Sequence, residues 1–266
     1  MSTSLDVNRF AAEWQQWHAN RERDLGEPYG WLALISLDWL DEQPRAYGGL
    51  PGRWWQDADA AYLDPDGGQL SHEGRPLTET TRFELVNSGA GTRVVAGDVE
   101  IEIARRSGYL IRVHDPKADA VRAFHGVPAY EPDEAWVLTG RFEPFSEPRP
   151  TTVGAVVGGL SHVYTSPGMV RFAYDGGEYA LTAFNGKTGG LSILFTDATS
   201  GVTTYPANRS LAVPEPAADG TVVLDFNRAV NLPCAFTDFA TCPLPPRGNR
   251  LPFPVEAGEK LPYERG

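Results

Sequence analysis

VEIEIA, residues 99–104, alternates apolar and charged positions up to its last residue. Successive side chains of a strand point to opposite faces, so Val99, Ile101 and Ile103 turn toward a core and Glu100 and Glu102 toward water. One packed face and one wet face mark an antiparallel sheet, because the crossover helices of parallel sheets cover both sides. Working outward, RWW (53–55), AYLD (61–64), RFELV (82–86) and YLIRVHD (109–115) are equally short and rich in β-formers, with Gly, Pro and Asp clusters in the gaps. Residues 45–125 therefore read as a small β-sandwich.

The same grammar continues in TTVGAVVGG (151–159), MVRFAYDG (169–176), EYALTAF (178–184), LSILFTD (191–197), TTYP (203–206) and GTVVLDF (220–226). FEPFSEPRP (142–150) reads as a proline-rich joint ahead of them. No amphipathic pattern of helix length interrupts the run, so residues 126–266 read as a second sandwich or barrel-like half with a Pro-rich C-terminal loop. At the N-terminus Leu5, Phe10, Trp14, Trp17 and Leu25 recur at mostly helical spacing. STSLD (2–6) offers caps at the start of this helix, and Gly26 and Pro28 stop it. GWLALISLDWL (30–40) is apolar enough to be buried and fits either a short helix or a strand. Residues 1–44 are thus an N-terminal helix with an apolar connector, and the chain is mainly β: two antiparallel sandwich or barrel-like halves with one N-terminal helix. The helix, with Trp14 and Trp17, is expected to cover a sheet edge or face.

A formal charge of -12 and a pI near 4.9 exclude the phosphate-neutralising grip that nucleic acid or an anionic membrane requires. The opening residues carry no charged-then-apolar leader and no long apolar run follows, so the expectation is a soluble, cytoplasmic protein. Cys234 and Cys242 are then expected as buried, inert thiols; a nucleophilic cysteine activated by the neighbouring Arg228 or Arg250 is the other reading. They stand eight positions apart, too far for a C-x-x-C motif, and a zinc site would need two more ligands from five scattered histidines, so no metal is expected. His114, His125 and His162 lie in or beside apolar runs; a general base with Asp115 or Glu134 is one reading, a hydrogen-bonded structural histidine the other. Nucleotide, dinucleotide, serine-hydrolase and zincin motifs are missing from the sequence, and no cofactor is expected.

Residues 227–260 change character. Pro233, Pro243, Pro245, Pro246, Pro252 and Pro254 interrupt any regular element, yet Phe236, Phe239, Leu244, Leu251, Phe253 and Val255 supply anchors that disordered linkers lack. An anchored long loop is more often functional than incidental. Polar residues gather in and before it. Tyr205, Arg209, Asn227, Arg228, Asn231, Asn249 and Arg250 are the candidate ligands of a small polar or anionic molecule, with Arg209 or Arg250 as a bidentate clamp. Asp197, Asp225 and Glu259 are the candidate acids or bases of a hydrolase or isomerase acting there. The alternative on the same residues is that they satisfy buried backbone groups. A third expectation places a non-catalytic protein-interaction surface on the first sandwich.

LDFNRAVNLPCAFTDFATCPLPPRGNRLPFPVEAGEK (224–260) resembles the closing signature of a bacterial and archaeal family, domain of unknown function 1684. GWLALISLDWL (30–40) and FTDATSGVTTYPANRSL (195–211) are similar to that family's N-terminal and central motifs. Ser36 stands where glycine is usual, and Val230 and Leu232 where an aromatic and a proline are usual, which implies packing differences. The resemblance implies a shared loop design and supplies no activity and no catalytic residues. In strand count and lack of helices, residues 48–115 also resemble forkhead-associated sandwiches. The glycine-arginine, serine and histidine motifs of those domains do not occur in order, so phosphothreonine recognition is not implied.

Overall fold

The computed structural model describes residues 4–263 and resolves into two compact units: Arg23–His125, and the N-terminal helix up to Glu22 together with the chain from Gly126 onward. Helix α1 (Ser4–Leu25) begins within STSLD, whose first residues lie outside the described ones.

In the unit Arg23–His125 the strands are β1 (Leu34–Trp39), β2 (Arg53–Gln56), β3 (Ala61–Asp64), β4 (Ser71–His72), β5 (Arg75–Pro76), β6 (Thr81–Phe83), β7 (Thr92–Ala96), β8 (Val99–Arg105) and β9 (Tyr109–His114). A short helix, α2 (Asp119–Ala123), follows them. The strands form a six-stranded antiparallel sheet, β1-β9-β8-β7-β4-β5, and a three-stranded one, β2-β3-β6. The alternation of VEIEIA sends Ile101 and Ile103 into a core with Trp54, Leu63, Tyr109 and Ile111. GWLALISLDWL is resolved as a 3-10 turn, Trp31–Ala33, running into β1. Where β1 pairs with β9, Leu34 faces His114 and Ser36 faces Val113, which leaves Ile35 as the extra residue of a bulge.

In the other unit β10 (Val137–Gly154), β11 (Ser161–Tyr174), β12 (Gly177–Asn185), β13 (Leu191–Phe195), β14 (Arg209–Val213), β15 (Thr221–Asp225) and β16 (Val230–Asn231) form one antiparallel sheet. Its order is β15-β10-β11-β12-β13-β14-β16, open rather than a closed barrel. Phe172, Phe195 and Phe226 meet at its centre, with Trp136 against them. From α1, Trp14 Nε1 donates to Asn227 O at 2.8 Å and Arg21 donates to Asn231 O at 2.9 Å, so the helix engages the edge strand β16.

Two expectations need correction. FEPFSEPRP is no joint but the middle of β10, paired with β11 at both of its ends. Past Arg141 that strand has left β15 and is an edge on one side, where a proline without an N–H costs no ladder bond. A register break between Pro144 and Arg149 absorbs the rest. TTYP is not a strand either: residues 202–204 turn back so that all three of their amides point at Thr199 O. The strand lies just beyond, as β14.

In the unit Arg23–His125, Glu102 sits on the face of β8 opposite Ile101 and Ile103. His114 Nε2 donates to it at 3.3 Å and Arg112 Nε lies 3.2 Å away, while His114 Nδ1 meets Gly30 O at 3.1 Å. Burial pushes the Glu102 carboxyl up. The His114 hydrogen bond and the charges of Arg112, His114 and Arg106 outweigh it and hold the group below the ordinary 4.5. The unfolded chain therefore takes up a proton at higher pH than the folded one, so the stabilisation is complete above that value and is lost as pH falls through the depressed one. Urea unfolding of the full chain, followed by probes in this unit between about pH 5 and pH 3, should show that loss, and Glu102→Gln should flatten it. A variant with the wild-type slope would remove Glu102 from the account.

Candidate functional site

The polar residues of the C-terminal third are placed by β14 and by the return of the chain over the sheet. Along β14 the inward positions are Arg209, Leu211 and Val213, so the strand's own period carries a guanidinium into the interior, where it is only 1% exposed. Its Nη1 donates to Ala257 O and, at 3.5 Å, to Glu259 O. Its Nη2 donates to Val255 O at 2.9 Å and to Asp197 Oδ2 at 2.8 Å, and the group lies over the Phe195 ring. Asp197 Oδ1 accepts from the Thr199 amide at 2.7 Å, the Thr199 hydroxyl at 2.6 Å and the Val255 amide at 3.2 Å. Burial pulls the Arg209 guanidinium down and Asp197 pulls it back up; arginine stays cationic throughout.

Glu259, also buried, accepts from the Asn231 amide at 2.6 Å and from Arg21 Nε of α1 at 3.0 Å. Asn231 Nδ2 donates to Lys260 O at 2.8 Å. These four, Asp197, Arg209, Asn231 and Glu259, form one cluster. Asp225, Asn227 and Arg228 form another: Asn227 exchanges hydrogen bonds with the backbone of Asp133, both at 2.9 Å, and Arg228 pairs with Asp225 at 3.1 Å. Asn249 stands apart, clasping Thr182 N, Thr182 O and Leu194 O. The Tyr205 hydroxyl donates to Cys234 O at 2.8 Å, and Arg250 is exposed. The seven residues expected to line one pocket are therefore distributed over several places, and most of their polar atoms hold backbone. Arg209 Nε and Asn231 Oδ1 are buried atoms of the group that meet no partner.

The three histidines considered as bases are hydrogen-bonded: besides His114, His162 donates to Thr241 O at 2.7 Å and His125 Nδ1 meets Ala123 O at 2.9 Å. Among the described residues no His, Cys, Asp and Glu group has the makings of a metal site, and no helix is long and apolar enough to cross a membrane.

A hollow of about 480 Å³ lies in the unit Arg23–His125. Ile35 and Ser36 of β1, Val113 of β9 and Val99 of β8 form part of its wall, and the Gly48–Pro51 loop and the Ala96–Gly97 turn form more. Gly48, Gly49 and Gly97 hold positive φ of 48°, 79° and 60°, a conformation that side chains with a Cβ resist. None of the residues lining the hollow is acidic, basic or a cysteine. A second, smaller hollow of about 210 Å³ includes Glu42, Gln56, Asp57 and Arg105. There Gln56 is already engaged, with Leu40 O and the Tyr109 amide. Sequence reasoning missed the larger hollow. Its one legible signal is the Gly48-Gly49 pair; the bulge at Ile35 leaves no mark in composition.

The buried ion pair gives a direct test of the bracing it supplies. Asp197→Asn keeps the shape but leaves the Arg209 charge uncompensated, and should cost about 3–5 kcal/mol in urea unfolding. A loss below about 0.5 kcal/mol, typical of a surface change, would show that the pair braces nothing.

Comparison with known proteins adds the following. Residues 122–260 match the family model described as protein of unknown function (DUF1684). They include the central and closing motifs; Gly30–Leu40 lies before them. The solution NMR structure of an uncharacterized protein of Haloarcula marismortui is 28% identical and has a TM-score of 0.44, over 52% of this chain and 78% of that one. No curated protein matches. With more than half of its length inside the family model, the chain belongs to DUF1684.

Proposed function

We propose that this protein is a binding protein without acid–base chemistry of its own, and that the hollow in the unit Arg23–His125 receives a small, mainly apolar molecule. The observation that carries the reading is Ile35. The bulge in β1 turns it outward, where it is 45% exposed on the wall of the hollow. At about 480 Å³ the hollow falls in the range of small-molecule sites, roughly 300–1,000 Å³. Its polar fittings are the Gln69 amide, the Ser36 hydroxyl and the backbone of the glycine turns, which can orient a ligand. General acid–base catalysis needs a titrating side chain within hydrogen-bond reach of the substrate, and the lining offers none.

A polar or anionic ligand at the C-terminal half has weaker support. Of its two clamp candidates, Arg209 is already met by Asp197 and three carbonyls and Arg250 lies apart on the surface, and the acid–base candidates Asp197 and Glu259 are occupied by backbone amides and arginines. Asp225 is tied to Arg228 and Asn227.

The neutral, apolar fluorophore N-phenyl-1-naphthylamine probes the reading. It should bind saturably, and Ile35→Asp should weaken binding at least about tenfold, roughly 1.4 kcal/mol. The thermal midpoint should hardly move, since the side chain is half in water. Equal affinity in the variant, or fluorescence that never saturates in the wild type, would overturn the assignment.

A further inference from the structure

Cys234 and Cys242 are eight positions apart in the chain and meet in space: the Cys234 amide donates to the Cys242 sulfur at 3.3 Å. With an N–Cα bond of about 1.46 Å, this contact keeps that sulfur within roughly 5 Å of the Cys234 Cα. That closeness brings the Cys242 sulfur to the backbone that carries the Cys234 thiol, the neighbourhood a bridge between the two requires. Both residues are thiols. The chain is fastened at Cys234 and on both sides of Cys242: the Tyr205 hydroxyl donates to Cys234 O at 2.8 Å, His162 Nε2 to Thr241 O at 2.7 Å, the Val156 amide to Cys242 O at 3.0 Å and Asn208 Nδ2 to Pro243 O at 2.5 Å. These bonds hold the two ends of the 234–242 segment side by side, and within it Asp238 alone is exposed.

We propose that Cys234 and Cys242 are a thiol–disulfide pair, oxidised in the folded protein by a low-molecular-weight disulfide, which closes the 234–242 segment into a covalent ring. Cys242 is the attacking residue. Both thiols are buried, and the Cys234 N–H aimed at the Cys242 sulfur favours negative charge on that one. Its thiolate attacks one sulfur of the small disulfide, breaks that S–S bond and expels a thiolate, leaving a mixed disulfide on Cys242. The Cys234 thiolate then attacks the Cys242 sulfur, forms the internal bond and expels the second small thiolate. The two protons given up by the cysteines end on the two released thiols. The protein is thereby oxidised by two electrons and the small disulfide reduced by two.

The full chain, folded and incubated with oxidised glutathione, tests this by intact-mass measurement. The expected product has lost two hydrogens, carries no adduct, yields a peptide linking Cys234 to Cys242 and returns to the starting mass with dithiothreitol. Cys234→Ser should stop at one glutathione on Cys242, and Cys242→Ser should remain unmodified over the same time. Circular dichroism of each variant confirms that it is folded. The same treatment in urea shows that both thiols react once unfolding exposes them. The proposal fails if the folded wild type keeps both thiols, accumulates two glutathiones, or carries its adduct on Cys234.

Discussion

A guanidinium buried at the start of β14 organises the C-terminal third. Taking Arg209 out of water carries a desolvation penalty of several kcal/mol, offset only by a nearby carboxylate and by acceptors for its fork of donors. Asp197 supplies the charge, and Val255, Ala257 and Glu259 supply carbonyls. The dependence runs the other way as well. Pro252 and Pro254 have no N–H, and a chain studded with proline cannot pair in a ladder, so its carbonyls need donors from side chains. Arg209 and Asn231 provide them, while Asp197 and Glu259 accept the amides of Val255 and Asn231. An irregular segment is thus held as firmly as a strand without being one.

That reciprocity explains why the polar residues of this region were ambiguous in the sequence. Asp, Asn and Arg at the ends of strands are the same residue types whether they grasp a ligand or a main chain. The difference lies in where their lone pairs and protons go, which depends on residues 48 to 67 positions away. Arg209 meeting Ala257 and Asn249 clasping Thr182 are contacts of that range. The nearness of Cys234 to Cys242 is similar in kind: an interval of eight fits no local motif, and it takes the fastening of both ends by Tyr205, His162 and Asn208 to bring the sulfur to the amide.

The β architecture was more legible, because period-2 alternation is a local property. VEIEIA, AYLD and YLIRVH emerge as β8, β3 and β9. The errors arose where a local rule depends on what lies next door. Proline is expelled from a strand paired on both sides but not from one with an open side, so FEPFSEPRP could stay in β10. TTYP has the composition of a strand, but the Thr199 carbonyl draws the next amides into a turn. GWLALISLDWL satisfied two patterns, and the partner strand β9 decided between them.

Ile35 shows how such a departure can point to a site. A regular strand would pair residue 35 in the ladder and alternate its neighbours between core and solvent. The bulge breaks one rung and lifts a β-branched apolar side chain toward water beside a hollow. Neither change benefits the sheet: the lost pairing weakens the ladder, and exposed apolar surface gains nothing from hydration. One exposed isoleucine is ordinary in a folded protein. One placed on the rim of a cavity by a break in the ladder, with glycine turns and no charged group in the lining, is a local rule broken where recognition has a use for it.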